Sequence, residues 1–199
     1  PPTAPPTAPL LNASARAALE RDGFVVVERF LAPALVAGLR ADAAALGAAG
    51  KFVRAGVGSP DGHSGRGSKL DVEIRRSRCC WLLPPPPTDV GVVGARRALL
   101  ATVEALRVEL AGALGLALEP FRTEVQYLDY PAGGYYQRHF DVGNRNGGWL
   151  SYGRDDAGVK GHYNGLPGSQ WRRTLSFLFY LNDDAWSSSD GGALRVFRP

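Results

Sequence analysis

The chain has no methionine, and among its 199 residues only two cysteines, three histidines and three lysines. The cysteines, Cys79 and Cys80, are neighbours, and neighbouring side chains on a strand point to opposite faces, so they do not bridge each other. That excludes a disulfide framework and suits a reducing compartment, cytoplasm or nucleus. One of the two is expected in the core. No apolar run approaches the ~20 residues that cross a bilayer, so no membrane role is expected, and the chain does not open on a secretory pattern of basic, apolar and small-residue regions. The missing initiating Met is what a trimmed chain shows, and trimming can remove a targeting segment. Lysine scarcity makes 20 of the 23 basic residues arginine, scattered apart from Arg75-Arg76-Ser77-Arg78, Arg96-Arg97 and Arg172-Arg173. The net charge is only +4. No basic stripe with interleaved aromatics appears, which argues against a nucleic-acid surface. An acidic protein partner, steered by charge, is compatible with the balance.

What is present is ordinary for a globular protein: 45% apolar and 21% charged residues, at a length that supports one domain with a real core. Residues 1–11 read as a Pro-rich tail, extended and spacer-like over Pro1–Pro9, and residues 12–199 as the single domain. Asn12 or Ser14 can cap a helix that runs to Asp22 and stops at Gly23. Phe24-Val25-Val26-Val27-Glu28 reads as a buried strand on β-branched propensity. Pro33 opens a second helix whose Leu35, Val36, Leu39, Ala43 and Leu46 recur at helical spacing. Residues 52–57 read as a short strand, and 58–68 as a Gly/Ser loop holding His63, a solvated loop histidine. Residues 72–83 form a second strand candidate. After the rigid Pro84–Pro87 break, a helix over 92–114 carries the stripe Ala98, Leu99, Val103, Leu106, Leu110 and Ala113, flanked by Arg96, Arg97, Arg107 and Glu109. Residues 121–129 alternate as a strand leading into the stretch on which function turns.

That stretch is Tyr130-Pro131-Ala132-Gly133-Gly134-Tyr135-Tyr136-Gln137-Arg138-His139-Phe140-Asp141. On a strand, residues i and i+2 share a face, so His139 and Asp141 would project an imidazole and a carboxylate side by side. A second imidazole would complete the 2-His-1-carboxylate set that holds Fe(II) with positions left open. A bare His-x-Asp is weak, since two solvated polar residues on a half-exposed strand read the same way. The order of its surroundings is more specific: a Gly-Gly turn, tyrosines nine and three positions before the His, the apolar strand Leu175–Leu181 ending Tyr180-Leu181-Asn182, then Gly191-Gly192-Ala193-Leu194-Arg195-Val196-Phe197.

This order resembles the prolyl 4-hydroxylase-like branch of the Fe(II)/2-oxoglutarate-dependent dioxygenases, and the opening 22–31 followed by a helix is similar to the cytoplasmic group of that branch. The resemblance implies an α+β fold with a double-stranded β-helix (jelly-roll) core, supporting N-terminal helices, and C-terminal strands that are absent from this chain. It implies metal ligands His139 and Asp141, 2-oxoglutarate contacts from Tyr130 and Tyr180, and weaker substrate-side roles for Tyr136 and Arg173. By the same resemblance, residues 58–78 are a candidate lid. The implied cofactors are Fe(II) and 2-oxoglutarate, with ascorbate as an optional third. The implied reaction is hydroxylation of prolyl residues in a proline-containing protein, coupled to release of succinate and CO2. Two alternatives stand beside it: the same chemistry on a free amino acid or small molecule, and a jelly-roll binding module with no turnover.

The chain departs from the family pattern twice. The 31 residues from Val142 to Arg172 are longer than the family's connection and read as a loop holding Trp149, Tyr152, His162 and Trp171. The chain also ends at Pro199, before the strands on which the family carries its distal His and the basic partner of the 2-oxoglutarate carboxylate. Three expectations follow: the chain is a fragment of a longer reading frame, or His162 is recruited as third ligand, or the protein is a non-catalytic relative.

Overall fold

A computed structural model describes residues 9–56, 71–83, 89–118, 123–139, 144–145, 148–149, 152–154, 160–163, 174–183 and 185–197. Three helices, α1 (Ala13–Asp22), α2 (Pro33–Ala48) and α3 (Val93–Leu114), accompany short strands: β1 (Val53–Arg54), β2 (Arg75–Arg76), β3 (Arg78–Leu83), β4 (Val125–Asp129), β5 (Tyr135–Tyr136), β6 (Asn144–Arg145), β7 (Gly148–Trp149), β8 (Tyr152–Arg154) and β9 (Lys160–Tyr163). Strands β1, β3 and β4 are neighbours in that order, and β2 pairs with β5, β6 with β7 and β8 with β9. This mixture of helices and antiparallel strands is of the α+β class. Among the described residues no helix is long and apolar enough to cross a membrane. The chain divides into two compact units, Pro1–Lys51 with Cys80–Tyr127, and Phe52–Cys79 with Leu128–Pro199.

The first unit is built on the helices, and their boundaries follow local chemistry. Asn12 Oδ1 accepts from the Ala15 N–H at 2.8 Å, and Gly23 ends α1 in the left-handed region with its N–H on the Leu19 carbonyl. Such a cap contributes about 1 kcal/mol. Pro33 takes the first turn of α2, where its missing N–H costs nothing. Leu39 and Leu46 of α2 and Leu99, Val103, Leu106 and Leu110 of α3 are buried, the spacing predicted from the sequence. Fully burying each such side chain contributes roughly 1.5–3 kcal/mol. A methyl group on Gly38 would meet Ala95 Cβ at 3.0 Å, so the absence of a side chain lets α2 and α3 approach closely. Glu109, on the flank of the α3 stripe, accepts the backbone N–H groups of Leu10 and Leu11 at 2.6 and 2.9 Å and so anchors the residues before α1.

Two charged residues sit inside this apolar packing. Asp42 of α2 is fully buried and Arg96 of α3 is 5% exposed. Arg96 donates Nε to Asp42 Oδ2 at 3.0 Å and Nη2 to Oδ1 at 2.7 Å, with Nη2 also on the Val90 carbonyl. The Val92 N–H donates to Oδ1, and the Tyr127 hydroxyl of β4 to Oδ2 at 3.0 Å. Gly91 completes the nest: its φ is +87°, and a Cβ there would run into Asp42 Oδ1. Donating hydrogen bonds to Asp42 holds the Arg96 guanidinium above its ordinary value, and burial, followed by the Asp42 charge, pushes the Tyr127 phenol up. Cys79 and Cys80 form no disulfide and are both buried. Strict alternation on β3 had placed only one of them inside.

The second unit carries the strand pairs. In β1 and β3, Val53 faces Cys79 and Arg54 faces Arg78; in β2 and β5, Arg75 faces Tyr136 and Arg76 faces Tyr135. The residues 142–172 are not one long loop, because they contain the hairpins β6–β7 and β8–β9. Asn146-Gly147, between β6 and β7, is the residue pair that two-residue hairpins favour.

Two predicted strands, 24–28 and 175–181, make no ladder with any described residue, and neither do residues 191–197. A strand exists only where a neighbour accepts and donates along its length. Propensity alone therefore leaves Val26 79% exposed, and Leu178 and Val196 more than half exposed. The Pro-rich segment 1–8, the loop holding His63 and the Pro84–Pro87 break lie outside the described residues.

Candidate active site

The site grows out of the turn that precedes β5. Gly133 is left-handed at φ +68°, and the Gly134 N–H donates back to the Pro131 carbonyl at 2.6 Å. A Cβ on Gly134 would stand 2.7 Å from the Pro131 carbonyl oxygen and 2.8 Å from that of Arg76, so only glycine permits the close pass of this turn against β2. The Gly-Gly turn predicted from the sequence is therefore present, and it delivers the chain into β5.

From there the segment is stitched to residues 72–76. The Gln137 N–H donates to the Ile74 carbonyl at 2.9 Å, Gln137 Nε2 to the Glu73 carbonyl at 2.6 Å, and the Tyr135 hydroxyl to the Val72 carbonyl at 2.7 Å. Residues 71–78 of the candidate lid are thus a turn, β2 and the start of β3, held by hydrogen bonds; residues 57–70 lie outside the described residues.

His139 is exposed and lies beyond the end of β5, so the predicted strand face does not extend to it. The cause is local. Its Nδ1 engages the carbonyl of Gln137, two residues back, at 2.8 Å, and a local side-chain-to-backbone bond of this kind competes with ladder formation. The contact also sets the tautomer. A carbonyl oxygen only accepts, so Nδ1 carries the hydrogen and Nε2 of the neutral ring carries the lone pair. A ligating histidine is oriented by just such a bond from its other nitrogen. The imidazole stacks on the Tyr136 ring, centroids 3.6 Å apart at an interplanar angle of 19°, and Arg75 Cζ lies 4.6 Å from the centroid of the same ring. One phenol ring therefore touches both the histidine and an arginine.

Tyr130, just past β4, is 43% exposed, and Tyr180 is 54% exposed. Tyr136 is half-buried. Asp141 and Arg173 lie outside the described residues, and His162 is placed in β9 by its backbone alone. Among the described residues no group of three or more His, Cys, Asp and Glu side chains gathers as a metal site.

Two residues without a role in the sequence reading acquire contacts here. Asp129 accepts from Nε of Arg78 at 2.8 Å and also from its Nη2. The Arg138 guanidinium lies 4.4 Å over the Phe197 ring, bringing the end of the histidine segment to the segment after Gly191-Gly192. The flanking position of Asp129 and Arg138 beside the motif was the available cue; their partners, 51 and 59 residues away, were not.

Fe(II) is met in proteins by imidazole and carboxylate donors with positions left open, and the exposure and tautomer of His139 fit that demand. No curated protein and no solved structure matches the chain. Residues 125–199, the part that holds this whole segment, match the family model of the 2OG-Fe(II) oxygenase superfamily.

Proposed function

We propose that residues 12–199 are a single domain of an iron- and 2-oxoglutarate-dependent hydroxylase acting on prolyl residues of a protein substrate, with a jelly-roll core. The observation that carries this reading is the superfamily match over the very residues, 125–199, that include His139, Asp141, Tyr130, Tyr180 and Arg173. His139 offers Nε2 to the metal, its ring plane held by the Gln137 carbonyl and by Tyr136. Asp141 supplies the carboxylate. The exposed phenols of Tyr130 and Tyr180 suit hydrogen-bond donation to a 2-oxoglutarate carboxylate, each pairing a polar tip with an apolar ring. Tyr136 and Arg173 stand on the substrate side. When bound, Fe(II) and 2-oxoglutarate supply oxidative decarboxylation to succinate coupled to hydroxylation of a substrate carbon, with ascorbate as an accessory reductant. The protein positions the reactants and keeps water out. Two buried cysteines outside any disulfide suit a reducing compartment such as the cytoplasm or nucleus.

The test is succinate release from the full chain with Fe(II) and 2-oxoglutarate. A proline-containing peptide should stimulate release in the wild type and not in His139→Ala. Stimulation by free amino acids but not by the peptide would move the substrate to the small-molecule class. No release under any condition would favour a binding module.

A further inference from the structure

Arg75-Arg76-Ser77-Arg78 is the densest basic run in the chain, and the function proposed above leaves it unused. It frames a hollow of about 190 Å³ lined by Arg54, Asp71, Arg75, Arg76, Arg78 and Pro131. The charge there is unbalanced. Arg78 is neutralised by Asp129, and Asp71 offsets one more, which leaves two of the four arginines uncompensated. Among the described residues neither Arg54 nor Arg76 pairs with a carboxylate, and both are exposed. Arg75 is half-buried, and its guanidinium is held by neutral acceptors: Nε on Ser77 Oγ at 2.9 Å and Nη1 on the Gly56 carbonyl at 3.2 Å. These bonds fix the fork without cancelling its charge. A preorganised guanidinium with no anionic partner is the group that gains most from an arriving carboxylate.

The hollow is tied to the histidine segment. Arg75 lies over the Tyr136 ring on which His139 stacks, and Pro131 of the same segment forms part of the lining. The volume suits one or two acidic side chains and is far too small for a folded surface. We infer that this hollow binds carboxylate side chains of an acidic peptide, so that the residue to be oxidised is presented beside aspartate or glutamate. The inference rests on the proposed function only in taking the occupant to be that enzyme's substrate.

Binding is measured without iron, by fluorescence anisotropy of labelled proline-containing peptides on the full chain. One peptide carries Glu on both sides of the proline, and its twin carries Gln. The acidic peptide should bind roughly tenfold tighter at low salt, as a few partly exposed charge pairs allow. Arg54→Gln/Arg76→Gln, which alters two exposed arginines, should remove that preference while leaving binding of the Gln twin unchanged. Glutarate should displace the acidic peptide no better than chloride of equal ionic strength. Equal binding of the two peptides, or a preference that survives in the double variant, would overturn the inference. Specific displacement by glutarate would also overturn it, because the hollow would then be a site for small dicarboxylates. The charge preference is read from iron-free binding and the oxygenase reading from succinate release, so either can fail while the other stands.

Discussion

A carboxylate with no exposed surface must have its oxygens met from within, and Asp42 has Arg96, Tyr127 and the Val92 N–H for that purpose. Removing one partner of such a buried pair strands the other. Asp42→Ala is therefore expected to destabilise the chain by about 3–5 kcal/mol, read as a lower urea midpoint at unchanged slope. Tyr127→Phe should cost only about 1 kcal/mol, since Arg96 Nε still occupies Oδ2. A loss below about 1 kcal/mol for Asp42→Ala would mean that the cluster contributes little. The cluster was half legible. Asp42 falls three residues after Leu39 and four before Leu46, within the buried stripe of α2, and Arg96 falls three before Leu99 on α3. A charge at a core position announces a buried partner. Which partner it is depends on how α2 meets α3, which spacing within either helix does not encode. His139 shows the same division. The residue was legible from its motif, whereas the bond to the Gln137 carbonyl, which sets the tautomer, depends on backbone that leaves the strand at that point.

At the scale of elements, helices were read more faithfully than strands for a physical reason. A helix satisfies its hydrogen bonds within one segment, so Asn12, Gly23 and Pro33 fix boundaries that neighbouring residues already contain. A strand needs a partner elsewhere. Phe24–Glu28 and Leu175–Leu181 have the composition of strands and no ladder with any described residue, while β6–β9 lie in a segment whose Gly and Asn content suggested a loop. The Gly134 turn is local again, and it was predicted. Its rigidity gives a clear contrast. Gly134→Ala places a methyl group against two carbonyl oxygens and should destabilise by about 1–3 kcal/mol, whereas Gly47→Ala, in α2 with open space around it, should be neutral or stabilise by up to about 1 kcal/mol. Thermal unfolding of both variants checks this, and equal shifts would contradict it.

At the scale of the whole molecule, two buried acids respond to alkali in the same sense. Burial raises the Cys79 thiol above its ordinary value of 9.0 and the Tyr127 phenol above 10.0. In that window the folded chain keeps protons that the unfolded chain has released. The contribution of both groups is whole below those ordinary values, and it declines as pH climbs through them toward the raised folded values. Urea unfolding of the wild type should therefore weaken progressively above about pH 9, and Tyr127→Phe should lose part of that slope. Stability that rises with pH in this range would contradict the burial of both groups.

The central claim is that His139 and Asp141 hold one Fe(II) in the segment that matches the oxygenase superfamily, and anaerobic titration of the full chain with Fe(II), or Mn(II) as its redox-silent stand-in, tests it most directly. Wild type should bind about one ion per chain, and His139→Ala and Asp141→Ala should each abolish uptake while Arg54→Gln/Arg76→Gln leaves it intact. Uptake that is unchanged in His139→Ala would contradict the account.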